Sequence, residues 1–231
     1  AVDVMIVMEA FGRGLVIEPY LSTVLLAGRL LEEAGERALV ERIVAGGMLA
    51  ALAHLERHSG WDLADVATKA VAEGGAWLLS GTKCVVLHGD SADWLLVTAR
   101  MGGAQRDRDG IGVFLVEADA AGVARQGAAT QDGQRAAEIT LANARARRLA
   151  FAGDALDTLE RVRDQAIAAL CAEAVGVMAE MHATTVDYLK TRKQFGRAIG
   201  EFQVLQHRAV DMYVALEQAR SMALFPTLMA G

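Results

Sequence analysis

The sequence predicts an α+β fold in which helices and strands are segregated into successive blocks. Three observations predict it. Apolar residues recur at helical spacing through residues 4–49, short apolar runs bounded by glycine and aspartate fill the middle of the chain, and residues 154–191 form a breaker-poor stretch rich in alanine, leucine and glutamate. Helices, then strands, then long helices is the order of separately packed layers rather than of alternating βαβ units.

In the first block the helical repeat runs through Val4, Met8 and Phe11, then Leu21, Val24 and Leu25, then Leu39, Ile43 and Val44, which makes about three helices. Pro19 suits the first turn of one of them, and Gly35, after Glu32 and Glu33, suits a helix end. Composition changes at Gly46-Gly47. The runs Trp77-Leu78-Leu79, Cys84-Val85-Val86-Leu87, Trp94-Leu95-Leu96-Val97 and Val113-Phe114-Leu115-Val116 read as strands of an all-β block. Glu73-Gly74-Gly75 signals a hairpin and residues 107–110 a charged, mobile loop. From 154 to 191 Gly176 is the sole glycine and there is no proline, so one helix of roughly 55 Å is expected at ~1.5 Å per residue. A further helix should run from about residue 201 to 223. The expected domains are therefore an α-helical one over 1–46, a β-domain over 47–152 and a helical one over 153–231, with both chain ends abrupt enough to suggest a piece of a longer protein.

With 231 residues and 53% apolar content, the chain can bury a sizeable core. A net charge of -6 gives no electrostatic footprint for nucleic acid. No segment offers roughly 18 uninterrupted apolar residues for a membrane span, and no charged leader with a cleavage site opens the chain, so a cytoplasmic location is expected. Cys84 and Cys171 lack any ligand or disulfide spacing and read as buried free thiols; no metal site is expected.

The most informative stretch is Arg192-Lys193-Gln194-Phe195-Gly196, continuing through Arg197-Ala198-Ile199-Gly200-Glu201-Phe202-Gln203 to His207. Basic residues, an aromatic and a glycine turn before an amide-rich helix start suit the phosphates and adenine of a dinucleotide. This motif resembles the flavin-contacting motif of acyl-CoA dehydrogenases, and the likeness extends over nearly the whole chain. Met5-Ile6-Val7-Met8-Glu9-Ala10-Phe11-Gly12-Arg13-Gly14 is similar to a family helix ending in a glycine pair. Residues 61–70 followed by Leu79-Ser80-Gly81-Thr82-Lys83 are similar to the family's first β-hairpin. Ala174-Val175-Gly176 ahead of Arg192, and Glu217-Gln218-Ala219-Arg220 after it, are similar to two bundle helices. A narrower resemblance, to the small subunits of pimeloyl-CoA dehydrogenases, is carried by Val85-Val86-Leu87-His88-Gly89-Asp90, Thr130-Gln131-Asp132-Gly133 and Ala168-Ala169-Leu170-Cys171-Ala172-Glu173.

The resemblance implies an acyl-CoA dehydrogenase-like fold with N-terminal helices, a central β-barrel or sandwich and a C-terminal four-helix bundle, truncated at both ends. It implies FAD as cofactor, an acyl-CoA substrate of medium-chain or dicarboxylic type, electron-transfer flavoprotein as electron acceptor, and a homo-oligomer or a heteromer with a homologous subunit. The reaction takes an α-proton to a carboxylate and a β-hydride to flavin N5, with hydrogen bonds stabilising the developing enolate. Cofactor contacts implied are Arg192, Gln194, Phe195 and Gln203, which reach the FAD of a neighbouring subunit, and His54, Leu55, Gly60, Val86 and Leu87 as flavin neighbours.

The β-block departs from the family pattern. Leu55-Glu56-Arg57-His58 and Gly60-Trp61-Asp62 stand where hydroxyl-bearing residues are usual, and Val85-Val86-Leu87 replaces an aromatic-isoleucine-threonine run, so flavin contacts there would come from backbone N–H groups. His88, at the family's asparagine position, reads as a satisfied loop histidine, His207 as a bundle residue, and Met178 and Met181 as core filling. No catalytic residue is assigned. The helix position that carries the base in one branch of the family is Ala166, next to Ile167, and Glu173 lies about 10 Å further along. The usual base would lie beyond residue 231. Two functions follow: an FAD-dependent acyl-CoA dehydrogenase of fatty-acid oxidation, or a non-catalytic small subunit that completes the FAD site of a catalytic homologue. An acyl-CoA oxidase is a weaker third.

Overall fold

A computed structural model describes residues 1–229. They fall into two compact units, a barrel unit of Ile17–Arg163 and a helical unit of Ala1–Val16 with residues 164–229.

The barrel unit opens with wide π-type helical turns over Tyr20–Gly28, directly after Pro19, which run into α2 (Arg29–Glu33) and α3 (Arg37–Val44). Gly28 is needed in that winding, because a Cβ there would stand 2.9 Å from the Thr23 carbonyl oxygen. Thr23 fastens the turns to the sheet by donating its hydroxyl to the Ala50 carbonyl at 2.9 Å. Helix α2 ends as expected at Gly35, whose φ of +74° only glycine adopts without strain.

Seven strands follow: β1 (Ala50–Ala53), β2 (Lys69–Glu73), β3 (Ala76–Leu87), β4 (Trp94–Arg100), β5 (Ile111–Glu117), β6 (Val123–Ala129) and β7 (Arg135–Arg148). Strand β4 pairs with β2 and β5, β2 with β3, β3 with β7, and β7 with β5, so five strands close into a barrel. Strand β1 adds in parallel to β4, and β6 to β7.

Strands β4 and β5 are buried on both faces, which is why they read as continuous apolar runs. Leu95, Val97, Phe114 and Val116 point into the barrel with Leu79, Val86, Ile139 and Leu141. The alternate residues Leu96, Val113 and Leu115 point outward against Leu30, Leu31, Leu156 and Leu159 from the flanking helices. The expected runs at 77–79 and 84–87 are two ends of one twelve-residue strand, β3. Strands β1, β6 and β7 carry no such run.

The loop after β4 is pinned rather than mobile. The Arg100 guanidinium donates to the carbonyls of Ala64, Val66, Gln105, Asp107 and Asp109, and Arg108 pairs with Asp157 and Glu160.

In the helical unit, α1 (Val2–Gly14) packs against α4 and α5 (Gln203–Met229). Helix α4 (Ala155–Thr191) is the single long helix expected, capped by Asp154, whose carboxylate accepts the Leu156 N–H at 2.7 Å. Gly12 and Gly176 face one another's helices: a Cβ on Gly12 would overlap the Glu173 carbonyl oxygen, and one on Gly176 the Glu9 carbonyl oxygen. The first glycine of the α1 motif is thus a crossing residue. The helix ends on Leu15, at φ +48°. Glu9 pairs with Arg13 and Arg220 at 2.8 and 2.9 Å. Val175, Leu216 and Ala223 form a small core with half-buried Met178, whereas Met181 is exposed and fills no core.

Helix α5 runs past the expected end at 223 to Met229 and through Pro226. By length and composition alone α4 could cross a membrane, with mean hydropathy 1.4 over its most apolar window. Leu156, Leu159, Val162 and Val175 are nevertheless packed in protein cores, so it reads as a core helix. Both cysteines are free, and both are half-buried rather than buried.

Candidate cofactor-binding site

The sequence-predicted residues fall into two groups, one in each unit. The first is built on the segment after β1 and the end of β3. At Lys83/Val86 the β3–β7 register slips, and the freed Cys84 N–H donates to the Leu55 carbonyl at 2.8 Å, which ties the 54–62 loop to the bulge. Val85 sits in this bulge at φ +49° and is 56% exposed. A β-branched residue in the left-handed region is strained, and such strain collects where a backbone is shaped for contact. Val86 turns into the barrel core and Leu87 is half-buried. Val86 therefore cannot offer its side chain to a ligand. The expected hairpin also starts later than its motif, with β2 at Lys69, because residues 61–64 form turns and 65–68 join no ladder. Gly60, at φ +53°, is exposed beside Trp61, which is 92% exposed.

His54 lies beneath this surface, in a polar network that the sequence reading missed. Lys83 is wholly buried, and its ammonium donates to Glu56 Oε1 at 2.6 Å, Thr98 Oγ1 at 3.0 Å and the His54 carbonyl at 3.1 Å. Burial pushes the Lys83 ammonium down to about 8, against the upward pull of Glu56. Burial works against the charge of Glu56 as well, yet Lys83 and the hydrogen bonds around it hold this carboxyl below its usual value. Glu56 accepts the N–H groups of Ala67 and Thr68, and its backbone is tied to Ser59. The network thereby joins β1, β3, β4 and the loop leading to β2. His54 Nδ1 is 3.1 Å from Thr98 Oγ1, and its Nε2 is buried with no partner among the described residues. Burial, then the charge of Lys83, push the imidazole down to about 3, so His54 is neutral. A lone glutamate ending Ala50-Ala51-Leu52-Ala53-His54-Leu55 and a lone lysine inside an apolar strand were the signal for this pair.

His88 is also buried, at φ +54°, and its Nε2 has no partner among the described residues, so it is not the satisfied loop histidine expected. At the expected helix position Ala166 is buried and Ile167 half exposed, and neither can take a proton.

The second group sits between α4 and α5. Lys193–Gln194 and Arg197–Ala198 pair as a two-residue hairpin, β8 and β9, with Phe195 at φ +54° and Gly196 at +80° forming its tip. Positive φ at both central positions is the turn that matches strand twist. Arg192 closes the base, its carbonyl accepting the Ile199 N–H at 2.8 Å. Phe195 is 91% exposed and meets Phe202 edge-on at 6.1 Å between centroids, while the Arg197 guanidinium lies 4.2 Å over the Phe202 ring. Arg192, Gln194 and Gln203 are exposed, and His207 lies exposed on α5. An exposed aromatic among Arg192, Lys193 and Arg197 can take an anionic, planar ligand.

Residues 51–144 match the acyl-CoA dehydrogenase middle domain, and residues 155–227 match the acyl-CoA dehydrogenase C-terminal domain. Among curated proteins, the chain is 31% identical over 193 residues to the probable acyl-CoA dehydrogenase FadE25 of Mycobacterium tuberculosis, covering 81% of this chain and 49% of that protein. It is 29% identical over 186 residues to the mitochondrial isovaleryl-CoA dehydrogenase of Arabidopsis thaliana, covering 78% of this chain and 45% of that one. Among solved structures, a variant of the Tcur3481-Tcur3483 steroid ACAD is similar at 34% identity and TM-score 0.83, over 98% of this chain and 60% of that one. The ChsE4-ChsE5 complex from Mycobacterium tuberculosis is similar at 28% identity and TM-score 0.80, over 98% and 59%. The chain thus spans about half the length of the curated relatives it matches.

Proposed function

The chain belongs to the acyl-CoA dehydrogenase family, and from that premise we propose that it is part of an FAD-dependent enzyme of fatty-acid oxidation that introduces an α,β double bond into an acyl-CoA thioester. The observation that carries this reading is the hairpin at Phe195, where exposed cations and a strained, exposed aromatic fit a flavin dinucleotide's diphosphate and ring systems. FAD, when bound, supplies the hydride acceptor. Arg192 would hold the phosphates of a neighbouring subunit's FAD, with Phe195 offering it a ring face and Gln194 and Gln203 amide hydrogen bonds. In the barrel unit, the Leu55–Cys84 tie presents backbone from Leu55 to Gly60 and from Val85 to Leu87, and the apolar Leu55, Val85 and Leu87 keep water from the ring. The α-proton would go to a carboxylate elsewhere than positions 166 and 167, where Ala166 and Ile167 stand. The substrate is a medium-chain or dicarboxylic acyl-CoA, as in the pimeloyl-CoA branch. Electron-transfer flavoprotein takes the electrons, and the enzyme works as an oligomer in the cytoplasm.

A second reading has a specific observation in its favour. Leu55 and Leu87 bring no hydroxyl to the flavin, which suits a small subunit that lends its hairpin to the FAD of a catalytic homologue. Two similar structures are named as pairs, Tcur3481-Tcur3483 and ChsE4-ChsE5, which supports a heteromer.

One experiment separates the readings. The protein is purified alone and with a co-expressed homologue, its flavin content measured, and dye reduction followed with octanoyl-CoA and pimeloyl-CoA. Full flavin and turnover in the homo-oligomer support the enzyme; flavin and turnover in the heteromer alone support the small subunit. No turnover in either state sinks the dehydrogenase reading.

A further inference from the structure

The wall of the barrel parts between β5 and β7. Their ladder holds only Phe114 opposite Arg148 and Leu115 opposite Arg147, although β5 runs on to Glu117, and β7 takes up its next neighbour on that edge, β6, only at Leu141. The gap opens into a cleft of about 780 Å³, within the size range of small-molecule sites. Register decides which side chains meet there, because residues opposite one another across antiparallel strands share a face and faces alternate along each strand. Trp77 lies opposite Ala146 and Phe114 opposite Arg148, which puts Trp77 and Arg148 on the inner face. The Trp77 and Phe114 rings accordingly stand 5.3 Å apart between centroids. Trp94 lies opposite Glu117 and Leu115 opposite Arg147, which puts Trp94, Glu117, Arg145 and Arg147 on the outer face. Where the wall parts, both sets line the same cleft.

This lining suits one kind of ligand. Both indoles are half-buried, so each keeps part of its ring system open. Arg147 is taken by Glu36 at 2.6 Å, but the exposed Arg145 and Arg148 guanidiniums have no hydrogen-bond or ionic partner among the described residues. A guanidinium fork pairs with phosphate through two parallel hydrogen bonds, and an indole stacks on a flat ring. Glu117, exposed in the same cleft, accepts from hydroxyl groups and repels a ligand that is nothing but negative charge. We infer that the cleft is a second ligand site, for a nucleoside phosphate whose base lies on the tryptophans, whose phosphate meets Arg145 and Arg148, and whose ribose hydroxyls donate to Glu117. The cleft is separate from the Val85 bulge: Trp77 and Val85 lie eight residues apart on β3, about 26 Å at ~3.3 Å per residue.

The test follows the tryptophan fluorescence of the intact protein during titration with AMP, with adenosine and inorganic phosphate as its two halves. AMP is expected to quench saturably, and each half to bind at least about tenfold more weakly. Trp61→Phe should leave the quench in place, since Trp61 lies outside the cleft. Arg145→Gln with Arg148→Gln is expected to weaken AMP about tenfold or more at an unchanged melting temperature, both side chains being exposed and unpaired. Arg192→Gln should leave AMP affinity as it is, which separates the cleft from the hairpin. CoA is compared with AMP to identify the source: tighter arginine-dependent binding of CoA assigns the cleft to the nucleotide end of a thioester, tighter AMP to a free nucleotide, and either bears out the site. No saturable quench up to about 10 mM AMP overturns the inference. So do AMP binding that survives the double substitution or is lost in Arg192→Gln, inorganic phosphate bound as tightly as AMP, and a quench that vanishes with Trp61→Phe. Should the double variant lose stability, Arg145→Lys with Arg148→Lys decides: it keeps the charges without the forks and should still weaken AMP, and wild-type affinity there overturns the inference.

Discussion

The 54–62 loop and the 192–198 hairpin are both cofactor candidates, yet they are built in opposite ways. The loop rests on a buried ion pair: Lys83 and Glu56 satisfy each other beneath it, while its surface mixes the exposed apolar Trp61 and Val85 with Arg57, which pairs with Glu138. The hairpin rests on charge that is entirely exposed: Arg192, Lys193 and Arg197 surround Phe195, and two positive φ angles fix the tip. Ion pairing under the loop shapes the backbone, whereas the cations of the hairpin lie at the surface. Charge under the loop supports the fold and charge on the hairpin is open to the ligand proposed above, so the same kind of substitution should have different readouts.

Lys83→Met gives the largest expected effect, because it strands Glu56 in the barrel. Breaking a buried pair costs about 3–5 kcal/mol, which urea unfolding would detect, while Arg192→Gln should change stability by less than about 0.5 kcal/mol. Equal stability losses in the two variants would erase the distinction.

Gly176→Ala comes next. Its Cβ would overlap a main-chain carbonyl of α1, and overpacking of this kind costs about 1–3 kcal/mol, visible as a lower melting temperature.

Arg192→Gln should weaken FAD about tenfold, with the loss shrinking as salt rises, since the lost contact is ionic. Salt-independent weakening would argue that Arg192 acts through the hairpin's shape. Smallest is Phe195→Gly. Glycine relieves about 1 kcal/mol of left-handed strain, so the hairpin should become slightly more stable even as FAD binding falls.

The pH response sharpens the contrast from the other side. His54 falls from 6.5 to about 3 on folding, so between those values the unfolded chain takes up a proton that the folded chain refuses. Stability should therefore decline as pH drops below 6.5, and decline faster once Glu56, depressed from 4.5, adds its share. In His54→Leu the decline should begin near 4.5 instead, as thermal melts across pH would show.

The two regions also differ in how far the sequence exposes them. The hairpin is local: an aromatic, a glycine and the flanking basic residues adjoin in the chain, so their chemistry was legible. So were α4, with no proline and one glycine, and β4 and β5, whose two buried faces make unbroken apolar runs. Strand β7 escaped notice because its barrel face is largely alanine, with Arg145 and Arg147 between Ala144, Ala146 and Arg148, a weak period-two signal. Strand β1, four residues with three alanines, is weaker still. The network under the loop was illegible for a different reason. Glu56 and Lys83 lie 27 residues apart and Thr98 a further 15, and nothing short of the barrel's closure brings them together. The inward turn of Val86 was illegible for a similar reason, since which of Val85 and Val86 faces the barrel depends on the bulge at Lys83/Val86.

The crossing of Gly12 and Gly176 limits what can replace either residue. At each glycine the obstacle to a side chain is the opposite helix's carbonyl oxygen, and every amino acid carries that oxygen. No substitution on the facing helix can make room, so neither position can be rescued by a compensating change at the other. A side chain at either glycine therefore has to move a helix rather than a neighbouring side chain. The pair thus fixes how closely α1 and α4 approach and plays no part in any chemistry.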